Sequence, residues 1–347
     1  MNTKIAALIF ELMQQSNCRQ ITFHFDPQTK MKSILVIDSL PKGNKLRASG
    51  GTRFAHNNPD DALIDALKLA KAMTRKAKVL GVNEGGAKAV VVADISKSTE
   101  MLHAVGTFIQ TQNGLFQTAI DMGFTLNDAQ IISKKTTFID SLSHLQKGLG
   151  STGENTAQGM IQGFEVICER LLHKKLRNCT ISIQGLGAVG GSLARKLKEK
   201  GCTVIATDTN AVLCEQFKRI GIKIVKPDEI FKQEVEIFSP CAFGGILTDS
   251  TISQLQCKVV ASGANNPLVN EKIDEKQLLC RGIMFIPDFV LNAGGFLQAL
   301  VERNGGTIAD ARDKSKIIGT RINEIIDFSQ KNNLSLLESS VQLFGEK

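Results

Sequence analysis

Hydrophobic positions along the first 145 residues switch between helical and strand spacing. Residues 4–15 place apolar side chains at helical intervals and predict an amphipathic helix. QITFHFD (20–26) and KSILVIDS (32–39) read as two strands joined by a turn at Pro27–Thr29. KGNKLRASGGTR (42–53) is polar and glycine-rich and reads as a loop. PDDALIDALKLAKAMTRKAK (59–78) returns to helical spacing, with Asp60 and Asp61 suited to its N-terminus. GVNEGGAK (81–88) then reads as a loop, AVVVAD (89–94) as a buried strand and STEMLHAVGTFIQT (98–111) as a helix. FQTAID (116–121) reads as a strand and TLNDAQII (125–132) as a short helix.

Beyond about residue 145 the pattern becomes regular. NTAQGMIQGFEVICERLL (155–172) predicts a long helix. The apolar runs TISIQG, TVIATD, IKIV, VEIFSP, KVVASG and IMFIPD then alternate with helical stretches. Near-continuous apolar strands between helices indicate a parallel sheet covered on both faces. A final helix is expected from Lys314 to Gln330. The expected fold class is α/β in two domains. Residues 1–145 form an α/β domain with a mixed sheet, and residues 325–347 pack back on it. Residues 146–324 form a Rossmann-type, doubly wound parallel-sheet domain.

Composition narrows the partners more than it names them. No apolar run is long enough for a transmembrane helix, and the N-terminus lacks the features of a signal peptide, so a cytoplasmic protein is expected. The eight cysteines form no CxxC pair and the five histidines no ligand spacing, so reduced thiols and no metal are expected. The net charge of +8 is dispersed among acidic residues and accompanies no nucleic-acid motif, so no nucleic-acid partner is expected.

The strongest local signal is TISIQGLGAVGGSLARKLKEKGCTVIATD (180–208). A strand enters Gly185-x-Gly187-x-x-Gly190, a helix follows, and a second strand ends at Asp208. Gly185 permits the tight turn, Gly187 lets backbone approach a pyrophosphate, and Gly190 lets helix pack on strand. The helix N-terminus offers N–H groups to phosphate. An acid at Asp208 can accept from ribose hydroxyls and repels an added 2′-phosphate, so NAD is expected over NADP.

In the first domain, Lys76 and Lys88 are separated by a helix end and a glycine loop. Lys88 follows Gly85-Gly86 and enters the apolar AVVVAD run. A lysine buried there, near a second lysine, should lose proton affinity and can serve as a general base near neutral pH.

These residues resemble the glutamate/leucine/phenylalanine/valine dehydrogenase family, and within it the leucine dehydrogenase branch. The resemblance rests on GGTRF, DALKLAKAMTRKAKVLGVNEGGAKAVVVAD, TAIDMGFT, IQGLGAVG, FSPCAFGGILTDSTI, VVASGANNPL and PDFVLNAGG, in family order from about residue 8 to 330. It implies NAD-dependent deamination of an apolar, leucine-like L-amino acid to its 2-oxo acid and ammonium, reversibly, in a homo-oligomer. The alternatives are the same reaction on phenylalanine, valine or tryptophan, or a non-catalytic dinucleotide-binding relative. The resemblance also implies roles. Lys88 matches the catalytic lysine, Asp121 the proton-relaying aspartate and Lys76 the lysine that meets the substrate carboxylate. Gly50 and Gly51 match the loop that closes on substrate. Ser49, Ala119, Phe296 and Ala299 match the side-chain pocket, where Ser49 and Phe296 depart from the leucine-type pattern. Gly185, Gly187, Ala188, Val189, Gly190, Asp208, Thr156, Cys241, Ala242, Asn266 and Asn292 match the cofactor site.

Overall fold

Two sheets organise the chain, one in each of two units that divide between Ser151 and Thr152. The computed structural model describes residues 5–43, 46–140, 142 and 148–345. The first unit runs α1 (Ile5–Ser16), β1 (Gln20–Phe25), β2 (Lys32–Ile37), β3 (Ala48–Ala55), α2 (Pro59–Leu80), β4 (Gly85–Val92), α3 (Thr99–Thr111), β5 (Phe116–Ile120), α4 (Leu126–Ile132) and β6 (Ile139–Asp140). Its sheet has the order β1-β2-β4-β3-β5-β6. The β1–β2 and β2–β4 pairs are antiparallel; the pairs of β4 and β5 with β3, and of β6 with β5, are parallel.

Helix α2 is delimited by its own residues. The Asn58 side chain accepts from the Asp60 amide, Pro59 occupies the first turn, and Gly81 closes the helix in the left-handed region at φ 67°. Its buried alanines Ala62, Ala66 and Ala70 pack with Ile34, Val36, Val90 and Val92 on one sheet face. The opposite face, with Leu35, Ile37, Ala87, Ala89 and Val91, packs with Met101, Val105, Phe108 and Ile132 of α3 and α4. Period-two alternation assigns each strand residue to one of these faces.

The segment expected as a loop at 42–53 departs from that reading, because β3 begins at Ala48 and lies centrally in the sheet. Its glycines mark close packing. A Cβ on Gly50 would stand 1.7 Å from the Ala87 carbonyl oxygen. Likewise β4 starts at Gly85, inside the run expected as a loop, where a Cβ would stand 2.0 Å from the Ser39 carbonyl oxygen.

The second unit begins with α5 (Gly153–Arg170), β7 (Thr180–Gln184), α6 (Ala188–Glu199), β8 (Thr203–Thr207), α7 (Ala211–Arg219), β9 (Lys223–Ile224) and β10 (Glu234–Pro240). It continues with α8 (Asp249–Ile252), β11 (Gln256–Ala261), α9 (Glu271–Cys280), β12 (Met284–Ile286), α10 (Asp288–Leu291), α11 (Gly294–Arg303), α12 (Ile308–Lys314), α13 (Ile317–Asn332) and α14 (Leu336–Phe344). All six strands are parallel in the order β12-β11-β10-β7-β8-β9. This is the Rossmann order, with its switch point between β7 and β10.

The terminal helices do not follow the expectation that residues 325–347 pack with the first domain. They belong to the second unit, α13 packing on α5 and α14 on both α13 and β12. The buried Ile318, Ile322, Ile325 and Ile326 form the apolar stripe that seats α13 there. Among the described residues, no helix is long and apolar enough to cross a membrane.

Candidate active site

Three strands of the first unit bring Lys88, Asp121 and Gly51 together. Lys88 lies on β4 and is 4% exposed. Asp121 follows β5, its backbone N–H donating to the Thr52 carbonyl at 3.0 Å. Gly51 sits between them on β3, paired with Ala119 of β5. A Cβ there would stand 2.8 Å from Lys88 Nζ and 3.0 Å from Asp121 Cβ. The absence of a side chain at Gly51 therefore lets the amine and the carboxylate meet, and Lys88 Nζ donates to Asp121 Oδ2.

The same Oδ2 accepts from Arg53 Nε at 3.0 Å. Arg53 Nη1 donates to Asp65 Oδ2 at 2.9 Å, and His56 Nε2 lies 3.1 Å from that oxygen. Burial pushes the Lys88 pKa down and Arg53 adds to the shift, while the Asp121 charge opposes it; the net direction is down. Burial alone would raise the Asp121 pKa, but the Lys88 and Arg53 cations outweigh it and hold the carboxyl well below the usual carboxylate range. The arrangement can therefore present an amine that loses its proton more readily than a surface lysine, beside a carboxylate that rests ionised.

Lys76 is buried on α2, two residues beyond Thr74, whose Oγ1 lies 2.3 Å from where a Gly86 Cβ would be. Ser49, two residues before Gly51 and on the same face of β3, is buried and donates to Glu84 Oε2 at 2.7 Å. Glu84 also accepts from Arg47. Ala119 lies on β5, half-buried. Phe296 and Ala299, expected with Ser49 and Ala119 at the side-chain pocket, lie on α11 of the second unit.

In the second unit, the glycine loop follows β7 at the sheet's switch point. Gly185 has φ 94° and abuts Ala242, whose Cβ would be 2.9 Å from a Cβ on the glycine. Cys241 donates its N–H to the Gln184 carbonyl at 2.7 Å, tying the β10 loop to the β7 loop. Burial pushes the Cys241 thiol up to about 11, so it stays protonated. A Cβ on Gly190 would stand 1.9 Å from the Gly185 carbonyl oxygen, whereas the same position at Gly187 faces open space. Ala188 and Val189 form the first turn of α6, whose N-terminus has no side-chain cap. Asp208 follows β8 and accepts from the Leu186 N–H at 2.6 Å and the Asn210 N–H at 2.8 Å.

Asn292 donates to Asn265 Oδ1 at 3.0 Å and to the Gly263 carbonyl at 3.3 Å. Among the described residues its own Oδ1 is buried without a hydrogen-bond partner. Asn266 is in the left-handed region at φ 48°, and its N–H donates to Asp288 at 3.0 Å. Thr156 lies on α5 and donates to the Thr152 carbonyl at 2.9 Å. The open, uncapped helix N-terminus, the fixed carboxylate and the orphaned amide oxygen all fit a dinucleotide with a carboxamide-bearing ring.

Comparison with known proteins agrees with both halves of this geometry. Residues 31–138 match the model of the Glu/Leu/Phe/Val dehydrogenase dimerisation domain, and residues 213–317 match Glutamate/Leucine/Phenylalanine/Valine dehydrogenase. Leucine dehydrogenase of Bacillus subtilis (strain 168) is 33% identical over 344 residues, covering 98% of this chain and 93% of that protein. The chain belongs to the Glu/Leu/Phe/Val dehydrogenase family.

Members of the Glu/Leu/Phe/Val dehydrogenase family are NAD-dependent oxidoreductases acting on CH–NH2 donors, and so is this chain. Residues 147–259 also match the NAD-binding domain of D-isomer-specific 2-hydroxyacid dehydrogenases. L-tryptophan dehydrogenase of Nostoc punctiforme is 35% identical over 302 residues, 86% of this chain and 84% of that protein. The crystal structure of L-tryptophan dehydrogenase from Nostoc punctiforme superposes with TM-score 0.77 at 31% identity, covering 96% of each chain. Sequence reading missed Arg53, Asp65, His56 and Glu84. Arg53 was accessible to it: once GGTR is a strand, period two puts Arg53 on the face of Gly51.

Proposed function

We propose that this chain catalyses the reversible, NAD-dependent oxidative deamination of an apolar, leucine-like L-amino acid to its 2-oxo acid and ammonium. The observation that carries the reading is the Lys88–Asp121 pair meeting over a glycine. When bound, NAD supplies the acceptor for the hydride leaving Cα. Lys76 binds the substrate carboxylate as a cation. Lys88, as the free amine, takes a proton from the water that attacks the iminium carbon. Asp121 passes protons between Lys88 and the departing ammonia, and its low pKa makes the carboxylate its resting form.

In the same reading, Gly185, Gly187 and Gly190 bring backbone to the pyrophosphate, and Asp208 accepts from the ribose. Asn266, Asn292 and Thr156 serve the nicotinamide end in this reading, together with Cys241 and Ala242. A larger, donor-bearing side chain such as that of tryptophan is the second reading. The 35% identity to L-tryptophan dehydrogenase of Nostoc punctiforme supports it, as does a serine at position 49 where the leucine-type pattern has an apolar residue. The intact Lys76, Lys88 and Asp121 set argues against a non-catalytic relative.

We also propose a homo-oligomer. Helix α1 has no buried residue, and Ile5, Leu8, Phe10, Phe23 and Phe25 of α1 and the edge strand β1 are each more than half exposed. The matched dimerisation-domain model covers this unit from residue 31. Light scattering on the purified protein tests the assembly.

The activity test is NADH formation across a panel of L-amino acids, repeated with Lys88→Ala. Wild-type protein should turn over an apolar member fastest. The variant should lose turnover by roughly 10²–10⁴-fold while still binding NAD. Equal rates would remove Lys88 from the chemistry.

A further inference from the structure

Arg53 is a partly buried cation at the site to which the chemistry above gives no task. Its side chain is 13% exposed. It occupies a position that strand pairing fixes: the Asp121 N–H donates to the Thr52 carbonyl, and the Phe54 N–H to the Met122 carbonyl, each at 3.0 Å. These two bonds bracket Arg53 and set its guanidinium against the Asp121 carboxylate. The guanidinium then spans two acids, with Nε on Asp121 at 3.0 Å and Nη1 on Asp65 of α2 at 2.9 Å. His56 holds Asp65 from the far side.

We propose that Arg53 is a positioning residue for the deamination: it fixes the Asp121 carboxylate and keeps it charged while Lys88 is uncharged, with Asp65 and His56 holding the guanidinium in place. The inference rests on Lys88 being the base.

Asp121 Oδ2 accepts from both Lys88 and Arg53. Were Lys88 its sole counter-charge, deprotonating Lys88 would leave a poorly solvated carboxylate with no cation. Such a carboxylate takes up a proton. The pair would then rest with the proton on the acid, and Asp121 could not accept a further one. Arg53 stays cationic at any pH the enzyme meets, so the carboxylate keeps a counter-charge whichever state Lys88 is in. Its positive charge also opposes protonation of Lys88, while Asp65 opposes that effect from behind.

The planar fork matters as well as the charge. It meets two carboxylates from two elements at once, which the point donor of a lysine cannot do in the same geometry. Besides these groups, charge on this side of the sheet comes from Lys76 of α2, Asp38 after β2, which accepts from Thr74 Oγ1, and Glu84 ahead of β4, which accepts from Ser49 and Arg47.

The test is the pH profile of kcat/KM for wild type, Arg53→Met, Arg53→Lys and Asp65→Asn, with NAD and the fastest amino acid of the panel. Thermal melting of each variant accompanies it. Arg53→Met should lower kcat by about a hundredfold and move the acid limb up by about one pH unit, since a positive charge near Lys88 is gone. Arg53→Lys should keep the limb near its wild-type position and still lose rate, because charge is retained and the fork is not. Asp65→Asn should move the limb the opposite way to Arg53→Met, and by less.

The proposal is overturned if Arg53→Met folds and leaves the limb where it was, or keeps the rate within twofold. It is equally overturned if the lysine and methionine variants share one profile. Should Arg53→Met not fold, the direction of the Asp65→Asn limb decides: downward supports the proposal, unchanged or upward overturns it. Lys88→Ala separates the two readings. Full activity there ends the lysine-base reading and this inference with it, whereas a dead Lys88→Ala beside an unmoved Arg53→Met limb ends this inference alone.

Discussion

The first unit gathers its candidate groups as mutually paired charges: buried Lys88 and half-buried Asp121, Arg53 and Asp65 form one connected set between a mixed sheet and α2. The second unit offers mainly backbone at the switch point of a parallel sheet, an uncapped helix N-terminus beside a glycine whose missing side chain faces open space. The contrast separates two tasks. Proton transfer near neutral pH needs a group whose pKa has been moved, and burial among charges moves it. Pyrophosphate binding needs close approach and oriented N–H groups, and side chains obstruct both.

Substitutions in one unit should therefore change chemistry and leave cofactor affinity alone, and the reverse should hold in the other. The largest effect expected is that of Lys88→Ala, a loss of turnover of roughly 10²–10⁴-fold with NAD affinity unchanged by equilibrium fluorescence. A parallel loss of NAD affinity would break the division of labour. Next is Phe164→Ala in α5, a fully buried side chain of the second unit. It should lower that unit's stability by about 3–5 kcal/mol in a denaturant titration. Gly187→Leu should weaken NAD by about a hundredfold, about 2.7 kcal/mol, without lowering the melting temperature. Its φ of −68° suits any residue and its side-chain direction is open, so the protein has room and the pyrophosphate does not. Gly190→Ala, which meets a carbonyl oxygen, should instead destabilise the fold. Asp208→Ser gives the smallest effect, shifting the NAD-to-NADP affinity ratio toward NADP by about tenfold, about 1.4 kcal/mol.

How far the sequence could be read follows the same division. The second unit was legible as six strands, the glycine turn and Asp208, because a parallel sheet buried on both faces imposes near-continuous apolar runs and the turn is a local motif. The first unit was legible where α2 carries its own caps and Asp121 ends an apolar strand. ASGGTR was misread because composition alone puts consecutive glycines in turns. Here Gly50 and Gly51 are strand residues, made necessary by the Ala87 backbone on one side and the Lys88 amine on the other. Those neighbours are distant in sequence, and so are Asp65 and Asp121, the two acids that Arg53 joins. The seat of α13 and α14 also escaped, since an apolar stripe shows that a helix is buried without saying on what.

The central claim is that Lys88 acts as an uncharged amine. The pH dependence of kcat/KM tests it most directly, because that profile reports the free enzyme's ionisations. A base with a lowered pKa becomes active at lower pH, so the rate should rise as pH increases through a limb centred well below the ordinary lysine value of about 10.4. A limb near the ordinary lysine value, or a rate independent of pH across that span, would contradict the account.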